Sequence, residues 1–429
     1  MPENASVFQV WQIASEVTPG TPVAATDIIR DFGVELIPQA PSTEIQPLGN
    51  VWPTGVLYGK EHTEGTIDGS LGYESLTYIL DSLLHVTTPT TPTAAGVYTL
   101  TLGAASAGDF TLTFNGATTA PIAFNADAAA VDAALELLST IGTGNVVVTG
   151  TALPGGTLTI TFAGPLAGTG LPLTGNGAGL TGGGLVLTPA SAPTLSRDRI
   201  WTPAQSSPGD AFQTYTIERG SGVTADRVAF AQWVSLDVNF TQEAVTIGGN
   251  LLGQRLEPNF GSLAAAPTEV PVKPVNAPEV TVYMGNSYLT MAAMARPLEA
   301  RLSIQNRVGT VFSLNAAQPS YAALVQLPAQ AMLSLTTEHD TSTDDFLADM
   351  RNGQTKSVRV EAVGSNIETG YPYRLSFTLP AARLRNPGRT DNQGVYASTW
   401  ELLGTYAANY YSTRDGAIEA QLRNSLATL

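Results

Sequence analysis

The distribution of basic residues divides this chain into parts. Between Lys60 and Arg197 there is no lysine or arginine, although both types occur on either side. The gap is rich in glycine, threonine and alanine, and its ends at 87–93 and 188–193 have the threonine and proline content of extended linkers. We therefore predict a separate module inserted into a host chain. The predicted domains are 1–94 together with 191–266, the insert at 95–190, and 267–429.

The pattern inside the insert is that of a small α+β module. Residues 110–114 alternate in polarity, and Asn115-Gly116 supplies the residues that a type I′ hairpin turn requires. A helix follows, which Asn125 or Asp127 can cap. Its β-β-α-β-β order resembles a module that recurs in phage and bacterial surface proteins. The last two strands are predicted at 146–149 and 158–162.

Two segments outside the insert are similar in order. Each has a strand, at 34–37 or 301–304, followed by a long loop, a second strand and a helix. The first helix is predicted over 73–85, because leucine and isoleucine recur there at helical spacing. The second helix is predicted to begin near Ser342 and to end at Asn352-Gly353.

The similarity continues beyond the helices. Residues 214–219 and 227–240 match 373–379 and 395–400, and both segments then close on Leu-Leu-Gly. This order predicts a tandem duplication of one domain of about 165 residues. The C-terminal segment 417–429 fits either a helix or a strand, and as a strand it could complete a sheet.

Composition argues against several functional classes. The formal net charge is −16, so contacts to phosphates are electrostatically unfavourable. The absence of cysteine excludes disulfides and thiol nucleophiles, and His62, His85 and His339 show no metal-ligand spacing. We therefore predict no catalytic residue, metal or cofactor, and expect that the protein is not an enzyme. With no recognisable secretory signal or membrane-spanning stretch, we expect a soluble protein made in a cytoplasm.

Three stretches resemble the tail tube proteins of long-tailed bacteriophages. The first is ASEVTPGTP at 14–22, the second is GKEHTEGTIDG at 59–69, and the third is the late strand that runs into Leu-Leu-Gly. The resemblance implies a mainly β fold with a few short helices. It implies two tandem β-barrel or sandwich domains, each with a flanking helix, alongside the α+β insert, which would project outward.

The resemblance also implies a function and partners. In this family, hexameric rings stack into a hollow tube through which DNA passes, and members with two fused domains form trimeric, pseudo-sixfold rings. The implied location is the virion tail, and no membrane is involved. The implied partners are further copies of the chain, tape-measure, tail terminator and baseplate proteins, and DNA that passes without specific binding.

Strands in both segments have one polar and one apolar side, as the wall of a water-filled channel requires. The pattern occurs in 60–71, 234–241 and 332–340. Any solvated antiparallel sheet produces the same alternation. The candidate lumen-facing residues are Glu64, Thr66, Asp68, Asp237, Asn239, Glu338 and Asp340. We expect the carboxylates among them to give the channel an acidic lining that repels DNA.

The long loops at 38–59 and 316–329 carry apolar side chains that usually need a partner. The family resemblance makes these loops arms that stack one ring on the next. In the alternative interpretation, their aromatic residues fold back onto their own domain. The candidate ring-stacking residues are Leu48, Trp52, Leu57, Tyr58, Pro319, Tyr321 and Leu324.

Two other classes fit the same composition. A capsid decoration protein or a cell-surface, adhesin-like β-protein would also be β-rich, acidic and poor in charged residues. A β-sandwich glycoside hydrolase is the enzymatic alternative, and it would require paired carboxylates in a cleft.

Overall fold

Antiparallel strand pairing organises the structure, in which 54% of the chain is in strands and 8% is helical. The predicted mainly β fold is confirmed. None of the helices in the described part of the chain is long and apolar enough to cross a membrane. The computed structural model describes residues 9–91, 96–163, 166, 173–189, 195–205, 211–221, 223–305, 307–339, 341–368, 371–392, 394–411 and 413–427, with the backbone alone for 341–345.

The chain begins with six strands and a helix. The third and sixth strands are the longest, and buried and exposed residues alternate along them. The helix is buried along its whole length. These elements are β1 (Val10–Ser15), β2 (Asp27–Ile29), β3 (Phe32–Gln39), β4 (Ser42–Ile45), β5 (Gly55–Tyr58), β6 (His62–Ser70) and α1 (Leu76–Leu83).

The insert follows α1 and forms its own small sheets around one helix. Its predicted hairpin, helix and two later strands are all present, and Asp127 caps the helix by accepting a hydrogen bond from the Ala130 amide at 2.8 Å. The elements are β7 (Val97–Thr101), β8 (Ala107–Phe114), β9 (Ala117–Thr118), β10 (Ile122–Ala123), α2 (Ala128–Glu136), β11 (Val146–Gly150), β12 (Leu158–Phe162), β13 (Leu173–Asn176), β14 (Leu180–Thr181) and β15 (Val186–Pro189).

The host resumes after the insert and continues to the end of the chain. The C-terminal segment is a strand, which pairs with two others in the large sheet. The elements are β16 (Arg197–Trp201), β17 (Tyr215–Gly220), β18 (Ala225–Trp233), β19 (Leu236–Phe240), β20 (Val245–Gly253), β21 (Glu257–Gly261), β22 (Thr268–Glu269), β23 (Val280–Gly285), β24 (Ala292–Ala293), β25 (Pro297–Gln305), β26 (Val308–Val311), β27 (Ala323–Gln326), β28 (Gln330–Glu338), α3 (Thr341–Arg351), β29 (Thr355–Glu368), β30 (Tyr371–Asn392), β31 (Val395–Gly404), β32 (Ala407–Tyr411), β33 (Arg414–Gly416) and β34 (Glu419–Asn424).

Two groups of host strands pair in the same order. The first group, here called the N-terminal unit, runs β3-β6-β20-β18-β17-β1-β2 across the sheet. The second, the C-terminal unit, runs β25-β28-β31-β30-β29-β23-β24. Each unit has a helix after its fourth strand in sequence and a two-stranded hairpin between its third and fourth strands.

This order corrects one detail of the sequence comparison. The segment 214–219 forms β17, whose place in the C-terminal unit is taken by β29 and not by the segment 373–379 in β30. The two Leu-Leu-Gly strands, β20 and β31, do hold equivalent places. The sequence match was displaced by one strand because β29 and β30 are both rich in alternating apolar residues.

The two units are joined edge to edge within one sheet. Strand β19, which pairs with β20 and extends the N-terminal unit, also pairs antiparallel with β25 of the C-terminal unit, from Leu236 opposite Ile304 to Phe240 opposite Ala300. All nineteen strands of this sheet are linked by pairings that form no closed circuit within the described residues. A closed barrel is therefore not formed by the described part of a single chain, and buried residues of both units belong to one hydrophobic core.

The insert packs against the C-terminal unit and does not stand free of the host. Tyr288, Met291 and Tyr411 of the C-terminal unit belong to the core of the insert. The Asn145 side-chain amide donates to the Leu289 carbonyl at 3.0 Å. Beneath this contact, the buried Glu419 carboxylate accepts hydrogen bonds from Tyr288 and Tyr410 and pairs with Arg414.

Both ends of the insert are held by one buried carboxylate on α1. Asp81 accepts hydrogen bonds on Oδ1 from Trp201 Nε1 at 2.7 Å, from Thr87 Oγ1 at 3.1 Å and from the Thr87 amide at 3.2 Å. Thr87 precedes the insert and Trp201 follows it. Burial raises the pKa of Asp81 to about 6, although the hydrogen bonds from Trp201 and Thr87 act in the opposite direction.

This raised pKa predicts a pH dependence of stability. Because the folded-state pKa lies above the ordinary value of 3.8, the folded protein holds the proton more tightly than the unfolded chain. The contribution of Asp81 is fully present below about pH 4 and falls by about 3 kcal/mol as the pH rises to about 6. Urea unfolding at pH 4 and pH 7 should show this loss in the wild type.

Asp81→Asn is the matched control. All three hydrogen bonds reach the same oxygen, so an amide can keep them while removing the charge. The variant should lose about 3 kcal/mol less stability than the wild type between the two pH values. Equal losses in both proteins would contradict the assignment of this pH dependence to Asp81.

Candidate assembly surfaces

Eight neighbouring strands, from β3 through β6, β20, β19, β25, β28 and β31 to β30, share one polar face, here called the wet face. The register keeps the alternation in phase across the whole row. For example, Asp68 lies opposite Gly248, Gly248 opposite Asp237, and Asp237 opposite Ser303. The opposite side contributes Ile67, Val238, Leu302 and Leu402 to the core. Both units therefore present the same side of the sheet to solvent.

The predicted lumen-facing residues fall on this wet face wherever the structure describes them. Glu64, Thr66 and Asp68 are exposed on β6, while the residues between them are buried. Asp237, Asn239 and Glu338 are partly exposed. Asp340 lies outside the described residues. The sequence pattern thus grouped side chains that the fold places on one surface.

The charge of the wet face differs between the two units. The N-terminal unit contributes Glu35, Glu64, Asp68 and Asp237, and the last of these accepts a hydrogen bond from Arg301 at 3.3 Å. The C-terminal unit contributes acids and bases together. Its wet-face charges are Glu299, Arg301, Glu338, Arg383, Arg385 and Glu401. The face is acidic on the N-terminal unit and mixed on the C-terminal unit, which the expectation of an acidic lining did not anticipate.

The hairpin β4–β5, here called the first hairpin, is exposed along its length. Leu48, Trp52, Leu57 and Tyr58 all lie on its surface, with Trp52 at 78% exposure. These candidate stacking residues are exposed apolar side chains, and none is buried against the described part of the chain. Several large apolar side chains exposed on one hairpin indicate an interaction surface.

The hairpin β26–β27, here called the second hairpin, lies on the N-terminal unit. Tyr321 is fully buried, and its hydroxyl donates to the Phe230 carbonyl at 2.6 Å. Their rings lie 5.3 Å apart. Pro319 is exposed and Leu324 partly so. Tyr321 therefore does not belong with the exposed stacking candidates, because it contacts a neighbouring unit of its own chain.

Two strand edges of the wet-face row are open. In the part of the chain that the structure describes, β3 pairs only with β6, and β30 from residue 384 onward pairs only with β31. Sequence reasoning missed both edges, since edge positions depend on long-range pairing. Unpaired edges offer backbone donors and acceptors to another chain.

No group of three metal-ligating side chains occurs among the described residues. A cavity of about 570 Å³ lies between the second hairpin and the N-terminal unit, lined by Gln254, Arg255 and Tyr321 among others.

The different burial of the two hairpins predicts different effects of mutation. Tyr321→Ala should lower the free energy of unfolding by about 3–5 kcal/mol, because it removes a buried aromatic ring. Trp52→Ser should change it by no more than about 0.5 kcal/mol in the unassembled chain. Urea unfolding of both variants tests this contrast, and similar effects at the two sites would contradict the described seating of the second hairpin.

No protein-family model matches the chain, and no curated protein matches it. Among solved structures, a chain from Mycobacterium phage Patience is similar with 18% sequence identity over 46% of this chain and 61% of that chain. The TM-score is 0.19, so this likeness carries no argument about fold or function. The chain spans less than two thirds of that structure's length.

Proposed function

We propose that this chain is the structural subunit of a phage tail tube. In this proposal, three chains form a pseudo-hexameric ring, and the rings stack into a hollow conduit for DNA delivery. The sequence resemblance supports the family, and the matching strand order of the two units supports the duplication that a trimeric ring requires. The proposal gives the chain no catalytic role.

The observation that carries the proposal is the β19–β25 junction. It pairs the last strand of one unit's row with the first strand of the next unit's row. The same two edges remain open at the ends of the chain's row, as the end of β30 and the outer side of β3. A second chain can therefore continue the sheet by repeating a contact that already exists within this one. A heterologous contact of this kind generates a ring when its rotation closes, and the proposal is that it closes after three chains.

The wet face is the surface that would line the ring. Residues of α1 and of the other strands in each unit cover the apolar side of the row. Only the polar side remains free, and its acidic N-terminal portion would repel DNA phosphates. DNA would pass without specific binding, while tape-measure, tail terminator and baseplate proteins would contact the tube in the virion tail.

The equivalence of the units gives a register for the contact between chains. Thr246 and Ala397 lie at the same distance before Leu-Leu-Gly in β20 and β31. Asn239 pairs with Thr246, and Thr390 pairs with Ala397. Asn239 and Thr390 are thus equivalent. Ser334 and Thr66 likewise hold the same place in β28 and β6. Arg301, which pairs with Ser334, is therefore equivalent to Glu35, which pairs with Thr66. Because Asn239 lies opposite Arg301, Thr390 should lie opposite Glu35 of the next chain.

This register predicts a specific crosslink. The chain has no cysteine, so a Thr390→Cys, Glu35→Cys double variant carries only the two introduced thiols. Directly opposed residues in antiparallel strands lie within disulfide distance. Mild oxidation of assembled protein should give covalent trimers, measured by mass under non-reducing conditions, and negative-stain images should show rings or hollow tubes.

The control pairs Thr390→Cys with Thr118→Cys, which lies exposed on a separate sheet of the insert. It should give no closed trimer. If the Thr390–Glu35 pair also yields only monomers, and the images show sheets or single particles, the tube proposal is wrong and a decoration or adhesin role becomes the better interpretation.

A further inference from the structure

The two hairpins are equivalent in position but differ in environment. Strands β4 and β26 each have four residues, as do β5 and β27, and each hairpin stands at the same place between the third and fourth strands of its unit. The second hairpin contacts the neighbouring N-terminal unit, whereas the first hairpin is exposed. The first hairpin therefore lacks a contact that its counterpart makes.

The contact of the second hairpin is well defined. The Glu61 amide donates to the Pro319 carbonyl at 3.1 Å, and Lys60 Nζ donates to the Asn315 carbonyl at 2.8 Å. The Gln254 side chain donates to the Tyr321 carbonyl at 3.0 Å. The seat on the N-terminal unit thus consists of the residues just before β6 and the residue just after β20.

The C-terminal unit has a counterpart of this seat. Strands β6 and β28 both have nine residues, so Ala329 just before β28 corresponds to Glu61 just before β6. Thr405 corresponds to Gln254, since each follows Leu-Leu-Gly. Their backbone contacts agree as well: the Thr405 amide donates to the Ala381 carbonyl at 2.8 Å, and the Gln254 amide to the Ala229 carbonyl at 3.0 Å.

The counterpart seat is uncovered in the single chain. Residues 326–330 are all exposed, whereas Lys60, Glu61 and His62 are partly covered by the second hairpin. A cavity of about 240 Å³ opens here, lined by Leu327, Gln330 and Tyr406 among others. The surface offers apolar side chains and the backbone amide of Ala329.

We propose that the first hairpin of one chain docks on this seat in the C-terminal unit of the adjacent chain of the same ring. The proposal rests on the proposed function, because it uses the ring neighbour that pairs β3 with the end of β30. Strand β3 leads directly into the first hairpin, so one neighbour supplies both contacts. The hairpin's main role is then lateral, within a ring, in contrast to the axial stacking that the family resemblance implies.

The equivalence of the two hairpins predicts which residues of the first hairpin make the contact. Val51 and Pro319 lie at the same distance before β5 and β27, so the two residues correspond. The Val51 carbonyl would therefore accept a hydrogen bond from the Ala329 amide of the adjacent chain. Trp52 lies beside the position equivalent to Tyr321, and its side chain would enter the cavity near Tyr406. Burial of a tryptophan at the centre of an interface is a common source of binding energy.

A second crosslink tests the proposal. In the full-length chain, a Val51→Cys, Ala329→Cys double variant should form disulfides between chains on mild oxidation of the assembled protein. A matched Glu61→Cys, Pro319→Cys variant uses the equivalent contact within one chain, and should crosslink without an increase in mass. Adding Trp52→Ser to the first pair should lower its crosslinking yield about tenfold or more.

The product size decides between the two directions of docking. Lateral contacts close within a ring, so the Val51–Ala329 product should stop at the covalent trimer. Axial contacts would join successive rings and give products larger than trimers, which would overturn the proposal. Absence of any product would also overturn it.

The Thr390–Glu35 crosslink separates this inference from the proposed function. If that pair gives trimers while the Val51–Ala329 pair gives none, the ring stands and the lateral docking is wrong. If neither pair crosslinks while the Glu61–Pro319 control does, both proposals are wrong.

Discussion

The β19–β25 ladder is the interaction on which the rest of the structure depends. It merges two units of the same strand order into one sheet with one hydrophobic core. A slip of one residue in its register would turn the polar side of one unit toward the core of the other. Leu236, Val238 and Phe240 are buried on β19, and their partners Ile304, Leu302 and Ala300 are buried on β25, so the core itself opposes such a slip.

The two units are not interchangeable, because they are covered by different parts of the chain. The insert packs against the C-terminal unit, whereas the chain terminus lies against α1 of the N-terminal unit. Helix α1 is wholly buried, and the Arg199 guanidinium beside it binds Asn424 and the Leu426 carbonyl. Helix α3 keeps Phe346 and Met350 partly exposed. In the proposed ring, a unit with a fully buried helix would alternate with a unit whose helix is partly exposed. A fused chain can hold this difference in order around a ring, whereas identical single-domain subunits cannot.

Features that depend on neighbouring residues were predictable from sequence. Asn115 and Gly116 both adopt positive φ in the insert hairpin, at 47° and 81°, as the type I′ turn requires. The helix cap at Asp127 and the apolar stripe of α1 are local in the same sense. The alternation of polar and apolar residues along β6 also predicted its wet face correctly, because this pattern arises wherever one side of a strand is buried.

Features that depend on distant residues were not predictable. The loops containing Trp52 and Tyr321 look alike in sequence, yet only Tyr321 is buried. Phe230 accounts for the difference in burial. Its backbone has a left-handed φ of 55°, and its carbonyl accepts a hydrogen bond from the Tyr321 hydroxyl. Arg301 on the wet face was missed for a related reason: strand alternation identifies the face, but not the long-range pairing with Asp237.

In the proposed ring, the open edges would have to accept the matching edge and discourage others. Pro38 on β3 and Pro387 on β30 each lack an amide donor, which limits pairing with arbitrary strands. The register of β30 also shifts between Arg385 and Gly388. A similar irregularity precedes β19, where the Val234 and Ser235 amides both donate to the Asn250 carbonyl. A bulge disrupts the hydrogen-bond ladder and bends its strand. The irregularity therefore makes the edge a poor partner for unrelated strands, and the bend turns the edge toward the next unit.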